Sequence, residues 1–94
     1  MEATSPETKD RHGHPVRSGC CVRLLALPPR VLDDLSSIEQ ADLLGMVGSV
    51  LEVEEIDSHG HAWVTKWWHE GARRSRCHSV GLAPAEMEVV VNAD

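Results

Sequence analysis

The chain has no tyrosine and no phenylalanine, so three tryptophans carry all of its aromatic surface. It has few cysteines, three in all. An odd, small number does not make a disulfide framework and suits a reducing compartment. No Cys-Xaa-Xaa-Cys pair occurs. Cys20 is adjacent to Cys21 and Cys77 to His78, and neighbours on a strand face opposite ways, so each pair offers one ligand to a site. Metal binding is therefore not expected, and the cysteines read as small buried hydrophobes. Cys21 and Cys77 come close only if the first and fourth strands meet. No apolar run approaches the ~20 residues of a membrane span. The first residues lack the apolar centre of a secretory signal, and a cytoplasmic location is the expectation. Cations are also short, with 9 Lys and Arg against 15 Asp and Glu and a net charge of -6. That balance opposes general nucleic-acid binding, which draws on clustered cations. No Gly-Xaa-Ser-Xaa-Gly, phosphate loop or dinucleotide fingerprint is present, so no catalytic residue and no cofactor is assigned.

What is present is enough for one domain of 94 residues. Residues 1–18 are polar and are expected to form a flexible amino-terminal tail, because they cannot bury enough apolar area to offset ordering. Residues 19–92 are expected to form the folded domain. No internal repeat is evident.

Along that domain, 20–27 reads as a first strand stopped by Pro28-Pro29. Apolar residues at 31, 35 and 38 recur with helical spacing. Ser36 or Ser37 can cap a short helix over 38–44, with Glu39 and Gln40 in its first turn and Gly45 closing it. Residues 47–56 read as a second strand, bent at Gly48 and needing a β-bulge near Leu51 to restore register. A polar turn ending in Gly60 leads to a third strand over 62–68, the pattern of a hairpin. Here Ala62, Val64, Lys66 and Trp68 share one face and Trp63, Thr65 and Trp67 the other. After a second turn at 69–72, residues 73–83 form a fourth strand, 84–86 a 3₁₀-like turn, and 87–91 a short fifth strand.

These features together resemble the SH3-like barrel. The resemblance rests on Met46-Val47-Gly48-Ser49-Val50 opening the second strand, on the Gly60 hairpin, and on Leu82-Ala83-Pro84 with Glu86-Met87 before the last strand. Among members of that superfamily, the Gly-Xaa-Val start and the Trp68 to Gly71 step are similar to the mind-bomb type. The beta subunit of nitrile hydratase carries a similar barrel. The acidic loop and paired tyrosines of proline-peptide SH3 domains are absent, so that ligand is not implied. The expected fold is all-β: a five-stranded SH3-like barrel with a helical insertion in its first long loop.

The candidate site is a binding surface made of Trp63 and Trp67 with Lys66, Arg74 and Arg76. Outward tryptophans give large contact area at low entropy cost, and Arg recognises carboxylates through its planar fork. The blander alternatives are that one tryptophan covers the long loop, and that the Arg73–Arg76 run only balances Glu52, Glu54 and Glu55. The expected function is a non-enzymatic protein-interaction module contacting an acidic or apolar peptide. Two other classes stand beside it: a nucleic-acid-binding barrel stacking bases on Trp63 or Trp67, and an accessory subunit of a larger enzyme. Asp33, Asp34 and Asp42 form an acidic stretch that reads as a solvated face or a docking loop.

Overall fold

In a computed structural model the described residues are 7–29, 31–69 and 75–90. Along the chain they form β1 (Thr8–Lys9), β2 (Pro15–Val16), β3 (Cys21–Leu24), α1 (Ser37–Leu44), β4 (Val50–Ile56), β5 (Ala62–His69), β6 (Ser75–Leu82), a 3₁₀ turn (Pro84–Glu86) and β7 (Met87–Val89). The class is all-β with one short helix. β1 and β2 pair as a hairpin, and the other strands form an antiparallel sheet in the order β6-β5-β4-β3-β7. Neither sheet closes into a barrel. β6 and β7 stand at opposite ends of the larger one. No described helix is long and apolar enough to cross a membrane.

Local sequence accounts for the helix. Ser36 accepts the N–H of Glu39 at 3.2 Å while Glu39 reaches back to the Ser36 N–H at 3.4 Å, a reciprocal cap. Gly45 ends the helix. Gln40 Nε2 donates to the carbonyls of Leu32 and Leu35, tying the preceding loop to the helix. Leu43 is buried, whereas Ile38 and Leu44 are exposed.

The core lies between the inner face of the sheet and this helical insertion. Val22, Leu24, Val53, Ile56, Ala62, Val64, Val80, Leu82 and Met87 meet Leu43 and Met46, with Leu27, Val31, Leu32 and Leu35 packed against them. Each fully buried aliphatic side chain contributes roughly 1.5–3 kcal/mol. In β4 the irregularity falls between Val53 and Glu55, not near Leu51. Leu51 and Val53 already alternate inward, and one extra residue after Val53 is what returns Ile56 to the core. Val50 is left exposed, so it never needed an inward place.

Residues 7–18 differ from the expected tail. Val16 is completely buried in the core, and Asp10, at the start of the turn between β1 and β2, is buried too. Asp10 Oδ1 accepts the N–H groups of His12 and His14, each at 2.9 Å, and Oδ2 accepts the N–H of Val89 at 2.8 Å. Arg11 N–H also donates to the Met87 carbonyl at 3.1 Å. A polar segment is ordered here because a carboxylate satisfies its backbone donors and joins them to the edge of β7.

This corner occurs twice. Asp10-Arg11-His12-Gly13-His14 and Asp57-Ser58-His59-Gly60-His61 share the pattern Asp-Xaa-His-Gly-His. Asp57 Oδ1 accepts the N–H groups of His59 and His61, again at 2.9 Å each. In both turns the Asp N–H donates to the second His carbonyl at 3.0 Å, and the Gly N–H to the Asp carbonyl at 3.1 Å. Gly13 and Gly60 take φ of 83° and 81°, which a side chain resists. A short repeat is therefore present after all, at the scale of a turn.

Both carboxyls are acidified. Burial pushes the Asp10 carboxyl up, but the N–H groups of Val89, His14 and His12 and the His14 ring outweigh it and bring it to about 2. Asp57 is lowered to about 2, first by the His61 N–H and then by the Trp63 indole. A depressed carboxyl stabilises the fold fully above its unfolded value of about 3.9 and loses that contribution as pH falls through about 2. Asp10→Ala is expected to cost about 1–3 kcal/mol by removing the acceptor of three backbone N–H groups, measured by chemical denaturation at neutral pH. Asp10→Asn should also flatten the fall of Tm on acidification through that window; an unchanged acid limb would contradict the assignment.

Candidate functional site

The candidate surface is built on β5, whose alternation is strict. Ala62 and Val64 are buried and Trp68 packs against the core, while Trp63 and Trp67 are exposed at 36% and 57%. Across the β5–β6 ladder Trp63 opposes Gly81, Thr65 opposes Ser79, and Trp67 opposes Cys77. The outer face of these two strands is thus a tryptophan at each end with two hydroxyls between them.

Trp63 is held in place. Its indole Nε1 donates to Asp57 Oδ2 at 2.9 Å. Its ring lies over Gly81 so closely that a Cβ added there would meet Trp63 Cε2 at 2.9 Å. Glycine at 81 is what lets the ring lie flat on β6. The ring also lines an open groove of about 250 Å³ together with Pro28, Pro29, Val31, His61 and the β6 residues Ser79 to Gly81. Between the tryptophans, Thr65 Oγ1 donates to Glu54 at 2.8 Å and so accepts from the Ser79 hydroxyl at 2.7 Å. Glu54 and Asp57 thus each accept a hydrogen bond from a side chain of this face. By alternation the outer face of β5 and β6 carries Trp63, Thr65, Trp67, His69, Ser75, Cys77, Ser79 and Gly81, without a Lys or Arg.

The described cations of the candidate site lie on the other face. Lys66 Nζ donates to Ser49 Oγ at 2.8 Å and sits 5.7 Å from the Trp68 ring centroid. Arg76 grips Asp42 of α1 with two bonds, Nε to Oδ2 at 2.7 Å and Nη2 to Oδ1 at 2.8 Å. Its guanidinium also lies 5.4 Å over Trp68. His78 Nε2 is 3.3 Å from the same Asp42 oxygen and stacks edge-on against Trp68. The Arg76 hydrogen bonds hold the Asp42 carboxyl below its usual range, and Asp42 raises Arg76 in turn. This cluster anchors the helix to the sheet around Trp68.

The five residues expected to act together are therefore separated. Trp63 and Trp67 share the outer face, Lys66 and Arg76 surround Trp68 on the inner one, and Arg74 lies outside the described residues, as does Arg73. In place of the expected balance of the basic run against Glu52, Glu54 and Glu55, Arg76 forms an ion pair with Asp42 of α1. Asp42 is accordingly turned inward to the sheet and does not belong to a docking loop. The alternation of β5 contained this signal, since Lys66 shares parity with Trp68 and not with Trp67. The groove could not be read from sequence, because Pro28, Pro29 and Val31 reach Trp63 only through the fold of the long loop. Cys77 is exposed opposite Trp67, and β4 and β5 lie between its strand and that of Cys21. No family model, curated protein or solved structure matches the chain.

Two outcomes follow from this geometry. Gly81→Ala should push the Trp63 ring off β6 and break its bond to Asp57, read as a shifted indole N–H resonance; an unmoved resonance would refute the stacking. Asp42→Asn should speed amide exchange in α1 more than in β4, because the helix loses its charge-assisted tie to Arg76.

Proposed function

We propose that the protein is a small non-enzymatic protein-interaction module on an SH3-like frame, and that the outer face of β5 and β6 is its contact surface. The strand order and the 3₁₀ turn before β7 support the SH3-like reading. The observation that carries the function is Trp67. It is more than half exposed near the end of β5, where it is paired with Cys77 of β6, a residue too small to cover it. A tryptophan held on a rigid strand offers a large contact area with little entropy left to lose, which suits the centre of an interface.

The placement of charge selects the partner. Glu54 and Asp57 border the tryptophans, and Lys66 and Arg76 point to the other face. An apolar segment carrying Lys or Arg therefore fits better than an acidic one. Base stacking on Trp63 or Trp67 would meet these carboxylates without the support of either described cation, which argues against RNA.

Capture from native cell extract on wild-type and Trp67→Ala protein, each checked for folding, tests this reading. Proteins held by wild type should fall by at least about tenfold on Trp67→Ala, equal to about 1.4 kcal/mol. Equal capture would place the interaction elsewhere.

A further inference from the structure

The two ends of the large sheet are treated differently. At β7 the amino-terminal hairpin covers the edge through the Asp10–Val89 and Arg11–Met87 bonds. At β6 no described strand pairs with the edge, and the ladder shows which groups it presents. Val53 N–H donates to the Cys20 carbonyl at 2.7 Å, so residue 53 is turned toward β3. Val53 opposes Val64, which therefore directs its own N–H and C=O to β6. Val64 opposes Val80, and alternation leaves Ser75, Cys77, Ser79 and Gly81 with N–H and C=O aimed away from the sheet. Among the described residues none bonds to those groups. β6 is eight residues long, with no proline, lysine or bulge to guard it.

The apolar groove adjoins the same edge strand, since Ser79 to Gly81 of β6 line it together with Trp63, Pro28, Pro29 and Val31. Glu54 reaches the Thr65–Ser79 pair and Asp57 the rim of Trp63, so among the described residues carboxylates stand beside the groove. We infer that the occupant of this face is an extended apolar and basic segment of a partner protein, which adds as a further strand to β6 and places alternate side chains in the groove beside Trp63. Main-chain bonds to the free edge supply affinity, and the groove and carboxylates supply selectivity. This rests on the interaction reading above and specifies how the partner is held.

Random octapeptides displayed on phage and selected on the full chain provide the probe. The selected peptide is synthesised as such and in two forms, N-methylated at odd or at even positions. The inference expects sequences rich in Lys or Arg with apolar residues alternating, and at least about tenfold weaker binding for one methylated form only. Ser79→Pro should weaken binding similarly while keeping the fold, because the Ser79 N–H is outside the ladder. Should that variant unfold, the methylated pair decides alone. If both methylated forms bind like the parent while Trp67→Ala abolishes binding, strand addition is overturned and the interaction reading stands. If neither methylation nor Trp67→Ala matters, both fail. Selection of acidic sequences, or of none, overturns the inference. So does self-association in sedimentation that Ser79→Pro abolishes, since a second copy would then hold the edge.

Discussion

The pleat of β5 is the constraint on which the remaining arrangement depends. A strand must send successive side chains to opposite faces, and β5 carries three tryptophans at positions of both parities. Trp68 goes inward, where Lys66, Arg76 and His78 gather round its ring. Trp63 and Trp67 go outward. The helix docks where Asp42 can reach Arg76 beside Trp68, so the inner face is complete. Among the described residues the outer face has no such cover. What looks like one tryptophan-rich segment is thus divided by backbone geometry into an anchor and an exposed surface.

The acidic excess has a structural use that a net charge of -6 does not reveal. Asp10 and Asp57 each close a turn by accepting two backbone N–H groups, Asp42 ties the helix to the sheet, and Glu86 accepts the Ala83 N–H at 2.7 Å. Ionised carboxylates are acceptors only, and charge-assisted bonds to backbone donors are stronger than neutral ones. In a small domain with a modest apolar core, such bonds take over part of the task of fixing turns and termini. No buried side-chain polar atom among the described residues lacks a partner, as this use of acids requires.

The same acids shape recognition. Glu54 and Asp57 do not only hold Thr65 and Trp63; they also leave the tryptophan face negative. An open strand edge lies beside that face and a covered one at the opposite end of the sheet. Asymmetry of this kind directs association to one side, since an exposed edge is a template for pairing and a covered edge is not.

Much of this was legible locally. Ser36, Glu39 and Gly45 marked the helix ends, Gly60 the hairpin, Pro84 the 3₁₀ turn, and the parity of β5 the exposure of Trp63 and Trp67. These depend on contacts within a few residues, where capping, turn chemistry and pleat act directly. The Asp-Xaa-His-Gly-His pair was also there to be read, but its first copy lay in a segment whose polarity suggested a tail. In residues 7–18 the hydrogen bonds of Asp10 and the burial of Val16 join a mostly polar stretch to the sheet. What only the tertiary structure decided was long-range: Asp42 meeting Arg76, Pro28 and Val31 meeting Trp63, Asp10 meeting Val89. Each joins residues far apart in sequence, and no local preference specifies such a meeting. It follows only when the sheet order and the packing of the loop bring the partners together.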